Sequence, residues 1–276
     1  MKKNSYLIFL LLVLATACTK TTQDIESSLD IPVIESFLSP DNEVLVRLTT
    51  AIPYSSDTTL YIDRNISGIN IYLTTDEESY VLTEITDSAG YYKDMTRELR
   101  INENRSYNIE FQYKENKVSG NTYVPLKPEN FETSETTIAV PRITENGGMG
   151  MPNMTEIELS WDDPNNDYYL IYIQYLEDNY DTINTIVEID DAAERANFSS
   201  EPIQNNVYII RSMQFMFFGE YRLVLCRITE DYAKLYETLS QSSLEGLAEP
   251  PTNIENGKGI FAAFNSDTLT VNVVED

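Results

Sequence analysis

Apolar and polar residues alternate in short runs through the first half of the chain: Ile31–Phe37, Glu43–Thr49, Ile69–Leu73, Tyr80–Ile85, Tyr107–Tyr113 and Lys117–Val124. In Ile69-Asn70-Ile71-Tyr72-Leu73 the apolar side chains recur at every second position, which puts them on one face of an extended backbone and predicts a half-buried strand. Asp87-Ser88-Ala89-Gly90 has turn chemistry and precedes Tyr91-Tyr92. Past Pro125–Phe131 a second series begins. Thr155–Trp161 alternates, Asp162-Asp163-Pro164 turns, Tyr168–Ile173 is apolar on both faces, and Tyr221–Leu225 and Leu269–Val273 read as later strands. One segment changes period: Tyr232, Leu235, Tyr236 and Leu239 form a helical stripe, with Thr229 as cap and Glu230 and Asp231 at the positive end. The stripe predicts a helix near 229–243 docked on a sheet, with Gly246 and Pro250-Pro251 ending it. The pattern is mainly β. Because about 250 residues exceed the usual size of one core, it divides into two tandem β-sandwich modules, residues 31–127 and 128–276.

The start of the chain reads differently. Lys2 and Lys3 precede the apolar run Tyr6–Leu14, and Ala15-Thr16-Ala17-Cys18 closes it, the order of a secretory signal peptide over residues 1–17. A helix that crosses a bilayer needs roughly 20 apolar residues, and this run is much shorter. A cysteine directly after small residues is what lipoprotein processing requires, so Cys18 is the expected lipidation site, although Leu14 lies one place further from it than usual. The alternative is an ordinary secreted protein cut after Ala17. Each buried methylene of an acyl chain contributes about 0.8 kcal/mol, so two or three chains anchor a soluble body firmly. The polar Thr19–Asp30 is the expected tether, and its Gln23-Asp24-Ile25-Glu26 resembles the acidic export signals of Bacteroidota surface lipoproteins. The expected location is the outer membrane, lipid-anchored, on the cell surface or the periplasmic face.

Charge and rare residues narrow the chemistry. With 19 Lys and Arg against 45 Asp and Glu the formal charge is −26, and loss of Lys2 and Lys3 leaves 17 against 45, or −28. Nucleic acid is a poor partner for such a body, since phosphate binding needs a basic face. The sequence has 2 cysteines and no histidine. Ser-His-Asp and Cys-His catalysis and histidine-ligated metals are thereby removed, and with Cys18 acylated, Cys226 has no intramolecular disulfide partner. Cys226 reads as a small buried residue rather than a reactive thiol. No enzyme is expected. Carboxylate pairs are too numerous in so acidic a chain to single one out as a hydrolase site. Asp162, Asp163 and Asp167, with Asn165 and Asn166 between them, are weak Ca²⁺ candidates; the cluster lacks the glycine and terminal glutamate of an EF-hand, and a solvated turn is the plainer reading. Trp161 reads as core, with a sugar-stacking platform as its rival. Partner contact is expected at Met149 and Met151 in a Gly-Met loop and at Phe215 and Phe217 in Ser212–Phe218, the rival for the latter being a buried strand with a bulge at Gly219.

Three stretches resemble known families. The Ser67–Leu73 strand followed by Thr86, Asp87 and Gly90 is similar to the carboxypeptidase-regulatory or transthyretin-like β-sandwich, and Thr155–Ile173 with its Trp161 resembles a fibronectin type III or immunoglobulin-like sandwich. Asn253–Phe261, preceded by Ile228–Tyr236, Phe217-Phe218-Gly219-Glu220-Tyr221 and Trp161-Asp162-Asp163-Pro164, resembles the Bacteroidota lipoproteins of domain of unknown function 4249 (DUF4249). That resemblance implies a gene neighbour encoding a TonB-dependent outer-membrane receptor, and it transfers no catalytic or binding residue. Ala15 and Glu220 depart from the family pattern. The expected function is an accessory or ligand-binding lipoprotein of an uptake system; the alternative is a structural or adhesive surface lipoprotein.

Overall fold

A computed structural model describes residues 30–40, 42–51, 64–145, 155–240 and 250–276. The fold is mainly β, as the alternation predicts. Seven strands build the first half: β1 (Pro32–Leu38), β2 (Val46–Thr50), β3 (Ile71–Thr74), β4 (Ser79–Ile85), β5 (Ser88–Lys93), β6 (Arg105–Tyr113) and β7 (Asn116–Val124). β1, β2, β5 and β4 are hydrogen-bonded neighbours in one layer, and β4, β3, β6 and β7 continue in the other, so β4 turns the corner between layers. Period-two residues Ile34, Leu48, Ile71, Leu73, Ile109 and Val118 meet inside. Gly90 lies within β5 rather than in a turn. The reversal is made by Thr86 and Asp87, the latter at φ 67°, while Gly90 holds φ 79° where a Cβ would stand 2.8 Å from the Leu48 carbonyl oxygen.

The second half contributes β8 (Glu129–Thr133), β9 (Thr137–Val140), β10 (Glu156–Asp162), β11 (Tyr168–Tyr175), β12 (Asp181–Thr182), the short helix α1 (Ala192–Arg195), β13 (Phe198–Ser199), β14 (Val207–Arg211), β15 (Phe217–Ile228), helix α2 (Glu230–Ser240), β16 (Ile254–Glu255) and β17 (Lys258–Glu275). A three-stranded sheet, β14-β10-β8, faces a larger one in which β13, β11, β15, β17 and β9 are successive neighbours. Their shared core holds Ile157, Leu159, Trp161, Ile171, Leu223 and Val273.

β17 serves both bodies. Lys258–Ala263 pair in parallel with β1, Phe264–Val273 pair antiparallel with β15, and its last four residues run beside β9. Phe261 and Ala263 accordingly sit in the first core, and Val271 and Val273 in the second. The chain therefore crosses the division expected at 127/128 a second time, bringing Ile254–Ala263 back into the first body. Gly259 makes that entry possible: at φ 95°, directly opposite Ile34, it brings its backbone so close that a Cβ would lie 1.9 Å from the Ile34 oxygen.

Helix α2 packs on the outer face of β1, with Tyr232 edge-on to Phe37 at 5.6 Å and Ala233 fully buried. Its start differs from the expected one in detail. The Thr229 carbonyl accepts from Ala233 N at 3.1 Å, but the Thr229 hydroxyl is enclosed without a hydrogen-bond partner and caps nothing. Gly246 lies outside the described residues. Among the described residues no helix is long and apolar enough to cross a membrane.

Candidate functional site

The link between the two bodies, Pro125-Leu126-Lys127, is held by polar side chains that are buried or charged. Arg227 projects from β15 with its side chain 8% exposed. Its Nη2 and Nε donate to the Tyr169 hydroxyl at 2.9 and 3.1 Å, its Nη1 donates to the Leu126 carbonyl at 3.3 Å, and Asp167 Oδ2 stands 3.5 Å from Nε. A buried guanidinium is tolerable when hydrogen bonds and an opposite charge compensate it; here three of its five N–H groups are taken by Tyr169 and Leu126, and Asp167 supplies the charge. On the other side of the link, Asn265 Nδ2 donates to the Pro125 carbonyl at 3.1 Å and to Glu103 at 2.9 Å, and Glu103 accepts again from Lys127 N at 3.0 Å. Asn253 completes the junction by donating to the carbonyls of Phe261 and Asn121 and to Asp231 at 2.7, 3.2 and 3.2 Å.

Beside this clamp opens a cleft of about 840 Å³ between β7, the β10–β11 turn and the start of α2. The size is that of a small-molecule pocket, about 300–1,000 Å³. Its walls are polar: Asn121, Asn165, Asn166, Gln204, Tyr168 and Asp231 all face it. The cleft can offer hydrogen bonds in both directions, as carboxamides carry a donor and an acceptor.

A second recess, of about 420 Å³, lies in the second body and is mostly apolar, lined by Ile143, Ile183, Val187, Met213, Phe215 and Met216. In its lining Met213 is 69% exposed, Val187 57% and Ile143 38%. Its frame is fixed by Arg142, which donates to Asp181 through both terminal nitrogens at 2.7 and 2.9 Å, to Glu275 through Nε and Nη2 at 3.0 and 2.8 Å, and stacks 4.6 Å over the Phe218 ring. The carboxylates, by their hydrogen bonds, hold the guanidinium in its charged form well above the usual arginine range.

Residues singled out from the sequence fall as follows. Cys18, Met149 and Met151 lie outside the described residues. Phe215 and Phe217 are 3% and 0% exposed; β15 carries Phe217 into the core, while Phe215, also in the core, lines the apolar recess from within. The exposed apolar residues of that stretch are their neighbours Met213 and Met216. Trp161 is 3% exposed, packed against Phe131 and Tyr169, with its Nε1 unpartnered. Of the Ca²⁺ candidates, Asp162 accepts from Asn130 at 2.7 Å, Asp163 accepts from Asp167 N at 2.9 Å and from the Tyr169 hydroxyl at 3.3 Å, and Asp167 faces Arg227. Each of these carboxylates is turned to a different partner, and among the described residues no group of three or more Asp, Glu or Cys side chains is gathered as for an ion. Burial pushes the Cys226 thiol up to about 11.

Arg227, Asn253 and Asn265 were not found from the sequence. For Arg227 the signal exists. It continues the inward phase of Tyr221, Leu223 and Leu225, and a charge in a core phase marks a buried polar node.

No known family model matches the chain, and no curated protein matches it either. Among solved structures the chain is similar to a mutant Salmonella alpha-2-macroglobulin, at 9% identity and a TM-score of 0.23, over 89% of this chain and 15% of that one.

Proposed function

We propose that the protein is a lipid-anchored accessory or ligand-binding protein of the outer membrane, attached through Cys18 and docking on a TonB-dependent receptor through the apolar recess of its second body. The observation that carries this reading is the recess itself. Ile143, Val187, Met213 and Met216 are 38, 57, 69 and 37% exposed in its lining, and adaptable methionines beside β-branched residues suit a protein contact. The absence of histidine from the sequence and the signal-like start support a binding role over a catalytic one. The module types follow the same reading: the Tyr221 hydroxyl donates to the Phe217 carbonyl at 2.9 Å, a tie of the kind found at the tyrosine corner of immunoglobulin-like sandwiches. Affinity purification of the native lipoprotein tests the role. A stoichiometric barrel partner that is lost with Met213→Asp or Val187→Asp supports it, and purification without such a partner removes it. Fatty-acid labelling that persists in a Cys18→Ser chain removes the anchor.

A second reading, a spacer or adhesive surface protein, draws on the junction. A strand common to both bodies and a link clamped by Arg227 and Asn265 suit a stiff arm. In that case purification yields no barrel partner, and cells lacking the protein lose adhesion rather than uptake.

A further inference from the structure

The cleft at the junction has the chemistry of a site for one ligand class. Three of its wall side chains, the carboxamides of Asn121, Asn165 and Asn166, make no hydrogen bond within the described residues, nor do the hydroxyls of Ser106 and Tyr168. The charged groups around the cleft, by contrast, are already engaged. Arg227 is held by Tyr169, Leu126 and Asp167; Glu230 is paired with Lys234 at 2.8 Å; and Asp231 accepts from Asn253 at 3.2 Å. An anionic ligand would meet Asp167, Glu230 and Asp231 with no free cation to receive it. A cationic ligand would find one carboxylate without an ion pair, Asp231, and that one already accepts from Asn253. What is left unsatisfied is neutral, able to donate and accept, and spread over both bodies.

Two further features belong to the same wall. Among the described residues three buried side-chain polar atoms lack a partner, and two of them, the hydroxyls of Thr122 and Thr229, belong to the walls of this cleft. Thr122 is itself only 8% exposed. Both oxygens are enclosed within the wall, short of the partner that a buried hydroxyl normally has. Tyr123 stands in the same wall, 44% exposed, with its hydroxyl fixed by Asn104, so it presents a flat apolar ring in one orientation. Neutral carboxamides for vicinal hydroxyls, beside a fixed aromatic face for a C–H surface, are complementary to a sugar ring.

We propose that this cleft binds a neutral oligosaccharide, with Asn121 and Asn166 reading hydroxyl groups from opposite bodies and Tyr123 stacking under one ring. The proposal rests on the reading of the chain as a binding protein but not on receptor docking, which uses the separate apolar recess. The test is titration calorimetry of the full lipidated chain, in a detergent without a sugar headgroup, against hexasaccharides of glucan, mannan and xylan. At least one should bind. Asn121→Ala, Asn166→Ala and Tyr123→Ala should each weaken it about tenfold, the loss expected for one good hydrogen bond or stacking contact. Raising the salt to about 1 M should leave the affinity within about twofold, because no charge pair forms. Met213→Asp should bind sugar as the parent does while changing receptor co-purification, which separates failure of the docking reading from failure of this one. Absence of binding by all three saccharides at concentrations near 1 mM overturns the proposal. So does saccharide binding indifferent to the Asn121 and Asn166 substitutions, and so does capture of a lysine-rich peptide, rather than sugar, that those substitutions abolish.

Discussion

Arg227 and Tyr169 lie directly opposite each other on β15 and β11, and the guanidinium grips the phenolic oxygen with two nitrogens at 2.9 and 3.1 Å. Burial lifts the Tyr169 hydroxyl up to about 12 even though Arg227 works to lower it, so the phenol keeps its proton and points it at Asp163 Oδ1, 3.3 Å away. The relay runs from the link at Leu126 through Arg227 and Tyr169 to the β10–β11 turn, joining the two bodies by side chains as well as by β17.

Removing Arg227 leaves Tyr169, Asp167 and the Leu126 carbonyl short of a donor. We expect Arg227→Ala to cost about 3 kcal/mol and Tyr169→Phe about 1–2 kcal/mol. Urea titrations of the two single variants and the double variant should show coupling of about 1 kcal/mol or more; additive losses would mean that the pair does not act together.

Gly259 should be the least replaceable glycine. Its φ is 95° and the Ile34 oxygen would lie 1.9 Å from a new Cβ, so Gly259→Ala should cost more than about 4 kcal/mol and yield little folded chain. Gly68, at φ 75° with nothing within 4 Å of the added Cβ, is the control, and its alanine variant should lose only about 1–2 kcal/mol. Equal losses in thermal melts would show that steric approach is not what Gly259 provides.

Asp94 is 6% exposed and accepts from Thr96 N and Oγ1 at 2.9 and 2.6 Å and from the backbone nitrogens of Glu98 and Leu99, both at 2.9 Å. Burial works to raise its pKa, but the hydrogen bonds from Thr96, Leu99 and Glu98 outweigh it and hold the carboxyl below the usual range. A lowered folded pKa contributes stability above the unfolded value of about 3.9, and the contribution is lost as pH falls through the folded value. Asp94→Asn should therefore be less stable than the parent by about 2 kcal/mol at pH 7, with the gap closing in acid. A gap that stays constant down to about pH 2 would contradict the assignment.

Cys226 should be silent toward thiol reagents in the folded protein. With its pKa near 11, the thiolate fraction at mildly alkaline pH falls on the order of a hundredfold below that of an ordinary cysteine. Native alkylation of the Cys18→Ser chain should be slow and become fast in denaturant.

Met213 and Val187 face solvent, so Met213→Asp and Val187→Asp should leave stability within about 0.5 kcal/mol of the parent. Loss of a co-purifying receptor in these stable variants would then be a surface effect. Melting-temperature scans beside the pull-down make the distinction.

Most strands of this fold are legible in period-two alternation, as Ile71 and Leu73 in β3 or Ile109 and Phe111 in β6 illustrate, because a half-buried sheet sorts its side chains by parity. β5 is not legible, since Asp87 and Gly90 advertise a turn and only tertiary packing against Leu48 shows that Gly90 is strand. The helix is legible in its stripe but not at its cap, where the Thr229 hydroxyl is enclosed. Phe217 carries the same composition whether it meets a partner or the core, and neighbouring strands decide between them. The junction is the least legible part: Asn265 reaches Pro125 and Glu103 across 140 and 162 residues, separations that no local pattern encodes.

A ribosome that has released the first two hundred residues has made most of both cores and can finish neither. The parallel partner of β1 and the second antiparallel partner of β15, on the side away from β11, both belong to the last 18-residue strand, so each body remains open along one edge until that strand arrives. Contacts this distant close late and slowly. On the proposal that this chain is exported, the delay keeps it unfolded enough to be threaded through a membrane, and the compact form is reached only on the far side.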